Sequence, residues 1–127
     1  MKFAIIFALL GACAAQDLPD APQPTPKAFW ALTAAYGGGI LLDNYTTQRF
    51  ERQGCVETTS PGLYGIRPRE ARFLAVSGGI AAAEVLAARW MVRRHSKSLR
   101  TVGYVALGSQ VVDRYSSSIH NLGLRCR

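Results

Sequence analysis

Three stretches of this chain carry no charge and yet are broken by glycine: Ala28–Leu42 (AFWALTAAYGGGILL), Phe73–Ala83 (FLAVSGGIAAA) and Thr101–Val112 (TVGYVALGSQVV). None alternates apolar and polar residues as a half-buried strand would, so each reads as the middle of a helix. The first helix is expected over about Lys27 to Arg52, the second from Pro68 to about Arg94, and the third over about Leu99 to Asn121. Pro68 suits a first helical turn and Gly123 a stop after the last one. The fold class that follows is all-α, an up-down-up three-helix bundle.

Glycine bears on the solvent. The first helix contains Gly37-Gly38-Gly39, the second Gly78-Gly79 with Ala81-Ala82-Ala83, and the third Gly103 and Gly108. Each such glycine costs ~1 kcal/mol against alanine in a water-exposed helix interior. In a bilayer small residues instead let helix backbones approach, and no water competes for the backbone hydrogen bonds. Trp30, Tyr36, Trp90 and Tyr104 suit a membrane interface or a packed core. A span wants ~20 apolar residues. That length is reached only by taking in Asp43 in the first helix, Glu84 and Arg89 in the second, and Asp113 in the third. A membrane-embedded bundle is the favoured expectation, and a soluble helical bundle is the alternative.

The 127 residues permit one domain, and 49% hydrophobic against 18% charged residues excludes a disordered tail. Residues 1–15 read as a signal peptide: Met1-Lys2, the apolar run Phe3–Leu10, then small residues to Ala15. Leu10-Gly11-Ala12-Cys13 resembles the bacterial lipobox, which would make Cys13 a lipidation site. Ala12-Cys13-Ala14 and Cys13-Ala14-Ala15 would equally serve ordinary signal cleavage. Residues 16–27 hold four of the six prolines and read as an extended spacer. Residues 28–127 form the three-helix domain. The expected location is the bacterial cell envelope, in the inner membrane or lipid-anchored in the periplasm.

The net charge of +7 would suit nucleic acid, but an export signal argues against that partner. Anionic headgroups suit the turn residues Arg93, Arg94, Lys97 and Arg100 better. The other end carries Arg49, Arg52, Arg67, Arg69, Arg72, Arg125 and Arg127, so charge bias sets no topology. Cys55 follows the first helix and Cys126 the third, on one side of an antiparallel bundle. A disulfide there would require the oxidising side of a membrane. In a spanning bundle that conflicts with the orientation a cleaved signal dictates, and it favours the soluble alternative.

Asp43 and Asp113 each lie about nine residues before a helix end, ~13 Å from it and in one layer. Asp43 shares a face with Thr46 and Thr47, Asp113 with Ser109, Gln110, Ser116, Ser117 and His120, and Glu84 with Ser77. Gly78-Gly79 fall at the same level and would let the second helix approach the two carboxylates. The polar cluster Asp43, Thr46, Thr47, Glu84, Asp113 and His120 is open to two readings. One is a cation or proton site, and the other is interhelical hydrogen bonding and salt bridging. The second is favoured because no full ligand set is present. The chain contains no CxxC, HExxH, GxSxG or GxxxxGK[ST]. No enzymatic activity, metal or cofactor is therefore expected.

Asp43-Asn44-Tyr45-Thr46-Thr47, followed by Gly54, Glu57, Pro61 and Gly65, resembles a pattern of small bacterial three-helix membrane proteins of unknown function. In that pattern an Asp-x-x-Thr motif ends the first helix, and a Gly and a Glu-x-Asn-Pro loop lead into the second. Here Glu57-Thr58-Thr59-Ser60-Pro61 lacks the Asn and displaces the Pro. The resemblance covers about Leu41 to Arg72, and it implies a membrane location but no activity. The expected function is an exported, membrane-associated structural or interaction protein. Its partners would be membrane lipid and a protein or second copy met through Gly/Ala helix faces. The alternatives are a cation- or proton-handling membrane protein and a soluble periplasmic lipoprotein bundle.

Overall fold

In the computed structural model, which describes residues 23–55, 61–65 and 69–123, helix boundaries follow local chemistry. Helix α1 (Lys27–Arg52) starts directly after Pro26, whose backbone is extended at φ −64°, ψ 151°. It ends on Gly54 at φ +85°. There the Gly54 N–H bonds the Glu51 carbonyl (2.9 Å) and the Cys55 N–H bonds the Phe50 carbonyl (3.3 Å). This paired closure needs a left-handed residue, which glycine adopts without a Cβ penalty. A single turn, α2 (Pro61–Tyr64), precedes α3 (Glu70–Val92) and α4 (Lys97–Gly123). The Ser96 hydroxyl accepts the Leu99 N–H (3.4 Å) and caps α4. The three long helices are those expected, with α1 at its expected limits and α3 and α4 within a few residues of theirs. Among the described residues there is no strand.

Phe29, Tyr36 and Ile40 of α1, Ala88 and Val92 of α3, and Leu107 of α4 form the core, with Leu32, Val85, Tyr104 and Val111 packed around it. Two glycine contacts set the spacing of the bundle. A Cβ on Gly39 would lie 3.0 Å from Arg114 Cβ and 3.2 Å from the Tyr115 ring, so α1 and α4 are close there. A Cβ on Gly103 would lie 2.9 Å from Val92 Cγ2 and 3.0 Å from the Ala88 carbonyl oxygen, which seats α4 on α3. The expectation that Gly78-Gly79 mediates close approach is overturned. Both are exposed with nothing within 4 Å of an added Cβ, because α3 turns that face outward.

The last residues of the proline-rich spacer do not hang free. The Gln23 N–H bonds the Arg93 carbonyl (3.0 Å), and Arg93 Nε returns a bond to the Gln23 carbonyl (2.8 Å). The Gln23 amide meets His95 Nδ1 (3.0 Å), and Arg89 Nε donates to Thr25 Oγ1 (3.3 Å). Gln23–Pro26 thereby lies against the α3–α4 turn.

The exterior is unusual in its chemistry. From Ala28 to Gln48, α1 exposes no charged side chain, and from Phe73 to Ala88, α3 exposes none. At 1.5 Å per residue these bands are about 31 Å and about 24 Å long. Trp30, Leu41, Tyr45, Leu86, Trp90, Val105, Val112 and Ile119 are all exposed. Among the described residues one helix, Glu70–Val92, is long and apolar enough to cross a membrane.

These contacts predict opposite outcomes for two similar substitutions. Gly103→Ala forces α3 and α4 apart and should destabilise the bundle by about 1–3 kcal/mol. Gly78→Ala meets open space and should stabilise it by about 0.5–1 kcal/mol. Thermal melts of the purified full chain, followed by far-UV circular dichroism, check both signs.

Candidate functional site

The polar groups of this protein gather where its helices meet. Asp43 on α1 is 6% exposed, and its Oδ2 accepts a hydrogen bond from Arg114 Nη1 of α4 at 2.9 Å in an ion pair. Gly39, one turn before Asp43, admits Arg114 Cβ and the Tyr115 ring close against α1 beside this pair. Two tyrosines, Tyr36 on α1 and Tyr64 on α2, carry the polar network on to α3. The Tyr36 hydroxyl donates a short hydrogen bond to Glu84 Oε2 on α3. The Tyr64 hydroxyl accepts one from Ser77 Oγ (3.2 Å) on α3, while its ring stacks on Phe73 at 4.9 Å between centroids. The Asp43–Arg114 pair thus joins α1 to α4, and the two tyrosines join α1 and α2 to α3.

The cluster extends toward the α1–α2 end. Asn44 Nδ2 donates to Glu70 Oε1 (3.5 Å), and Asn121 Nδ2 to Thr47 Oγ1 (3.4 Å). Thr46, Thr47, Ser77 and Ser118 are fully or almost fully buried. Thr46 Oγ1 bonds the Asp43 carbonyl (3.1 Å) and Ser118 Oγ the Arg114 carbonyl (2.8 Å). Turning a hydroxyl back onto its own helix satisfies it in a water-poor interior.

Placement sorts the expected residues into two groups. Asp43, Thr46, Thr47 and Glu84 face inward and belong to the network. Asp113 and His120 are exposed on the outer face of α4. The expected level of Asp43 and Asp113 is right, since Arg114 is the next residue in the chain. The face differs, because one residue is a rotation of about 100° on a helix. The inward cation at that level, Arg114, was not among the expected residues, and neither were Tyr36 and Tyr64. Its sequence signal is spacing: Leu107, Arg114 and Ser118 stand at i, i+7 and i+11, on the buried face of α4. Among the described residues, no three His, Cys, Asp or Glu side chains gather as metal ligands.

At the opposite end, Arg94 lies over the Trp90 ring (4.4 Å) and Arg89 over the Trp30 ring (5.4 Å). Of the expected headgroup ligands, Arg93 is engaged by Gln23 and Lys97 is fully outward, with Arg100 half-buried. Cys55 is buried and disulfide-bonded. Cys126, Cys13, the signal segment and Glu57 lie outside the described residues.

Arginine opposite aspartate at an interior position predicts an asymmetric response. Removing one partner from a buried pair costs about 3–5 kcal/mol, whereas replacing both with apolar residues of similar volume is near neutral. Asp43→Asn should therefore lower the denaturation midpoint strongly and Asp43→Leu with Arg114→Met only slightly. Asp113→Asn should leave it unchanged. Equal effects of Asp43→Asn and Asp113→Asn in chemical denaturation would contradict this assignment. For the cysteines, Cys126→Ser should abolish the mobility change of the full chain on reduction, read by non-reducing electrophoresis, as Cys55→Ser does.

No protein-family model, curated protein or solved structure matches this chain.

Proposed function

We propose that this is a membrane-embedded three-helix protein of the bacterial cell envelope, acting as a structural or interaction component. The observation that carries the reading is a set of polar residues buried beside the apolar core while large apolar residues stand outside. Asp43, Asn44, Thr46, Thr47, Ser77 and Ser118 are inside, while Leu41, Leu86, Val105, Val112 and Ile119 are outside. Water rewards the opposite arrangement, and ionisable groups in a bilayer turn to the bundle interior and pair. The uncharged band on α1, about 31 Å, matches a hydrocarbon thickness of about 30 Å, and that on α3, about 24 Å, covers most of it. Exposed Trp30 and Trp90 stand beside Arg89 and Arg94 at one end, as interfacial aromatics do. Anionic headgroups are the natural partners of Lys97 and Arg100 at that end.

The interaction role rests on α3. Ala71, Ala75, Gly79, Ala83 and Ala87 recur every fourth residue, all exposed. Such a row lets a second helix approach closely in lipid, so a second copy is the expected partner for it. A structural use of the interior suits the chemistry better than ion handling, because Arg114 already answers Asp43 and Tyr36 already answers Glu84.

A second reading has one observation of its own. The disulfide at Cys55 requires an oxidising compartment. A spanning bundle that follows a cleaved signal would leave Cys55 on the reducing side. An exported bundle held to the membrane by lipidated Cys13 would not. Alkaline carbonate extraction of the Cys13→Ala chain separates the two. The embedded protein stays in the pellet without its lipid, whereas full release to the supernatant would establish the lipoprotein reading.

A further inference from the structure

Among the described residues, the outer face of α4 carries a polar ridge that crosses the otherwise uncharged exterior. Ser109, Asp113, Ser116 and His120 follow one another at spacings of four, three and four, and all four are exposed. This spacing forms a single stripe that winds along the helix as a coiled-coil seam does. Exposed Val105, Val112 and Ile119 flank it at intervals of seven. Ser109 bonds its hydroxyl to its own helix, at the Ala106 carbonyl (2.8 Å). Asp113 makes no hydrogen bond or ion pair among the described residues.

Asp113 lies thirteen residues beyond Arg100, about 20 Å along the axis from the basic end. Through Arg114 it is level with Gly39 and Asp43, six to ten residues short of Arg49, about 9–15 Å. An aspartate side chain is too short to reach a headgroup region over either distance. In the membrane reading, on which this inference rests, the carboxylate faces lipid near mid-depth, where an unpaired charge is expensive.

The chain does not supply the missing partner by self-association. At this level α1 exposes Leu41 and Tyr45, α3 exposes Gly79 and Ala82, and α4 exposes Tyr115, while Arg114 is committed to Asp43. A parallel second copy would set Asp113 against Asp113 or against uncharged surface, with no cation to answer it. We infer that the Ser109–Asp113–Ser116–His120 ridge docks a transmembrane helix of a different protein. That helix carries a lysine or arginine at the depth of Asp113. Ser109 and Ser116 on either side are small enough to admit a close helix approach, and the flanking Val105, Val112 and Ile119 supply the apolar contact.

The test uses the full chain in phosphatidylcholine vesicles with a fluorescence donor at its C-terminus. The probe is an acceptor-labelled polyleucine helix of about 20 residues with one lysine level with Asp113. The control is the same helix without the lysine. The lysine helix should associate about tenfold more tightly than the control. Asp113→Ala should erase that preference with the thermal midpoint unchanged, and moving the lysine to the helix end should erase it too. A chain that floats with the vesicles but binds both helices equally would overturn the docking face alone. So would retained preference in Asp113→Ala, or a homodimer that Asp113→Ala abolishes. A chain that fails to float would overturn the membrane reading and the docking face together.

Discussion

The Asp43–Arg114 ion pair is the contact on which the arrangement of the bundle turns. Its two partners sit on α1 and α4, while the Tyr36–Glu84 and Tyr64–Ser77 bonds tie α1 and α2 to α3. A slide of α4 by one turn would break the ion pair and leave two buried charges unpaired. Apolar packing specifies register less sharply, because dispersion contacts are non-directional whereas an ion pair has one partner. A buried pair of this kind contributes little net stability, since desolvation offsets most of its attraction. Its contribution here is register.

Glycine lies beside that pair. Gly39 admits Arg114 Cβ and the Tyr115 ring against α1, and Gly103 seats α4 on α3. Gly38 faces the Tyr115 hydroxyl, whereas Gly37, Gly78, Gly79 and Gly108 have open space beside them. Glycine in these helices therefore has two separate uses. At Gly39 and Gly103 it sets distances inside the bundle. On the outside of α3 it forms part of a smooth row, whose use would lie in contact with another helix.

The two ends of the bundle differ in the same physical terms. At the α3–α4 turn, arginines stack on Trp30 and Trp90 and tie down the spacer from Gln23 to Thr25. At the other end, hydrogen bonds between Asn44 and Glu70 and between Asn121 and Thr47 draw α1, α3 and α4 together beside a disulfide-bonded cysteine. Between the ends, the described residues expose one side chain with a full charge, Asp113.

The sequence by itself determined the number of helices, their limits and the depth of their acids. The uncharged runs mark the helix middles, and the structure closes the helices locally at Pro26, Gly54 and Ser96 through backbone conformation and capping. Counting residues at a constant rise then placed Asp43 and Asp113 in one layer. Which way each side chain points was decided only by the tertiary structure. A single residue of phase separates Arg114, which pairs with Asp43, from Asp113, which faces outward. That phase is set by how three helices settle around Gly39 and Gly103. The same is true of the glycines, since Gly78-Gly79 and Gly39 look alike in the chain. They differ only in whether another helix stands in front of them. Rise is a property of one helix and is written in its own residues. Facing is a property of the contact between helices and exists only once they have packed.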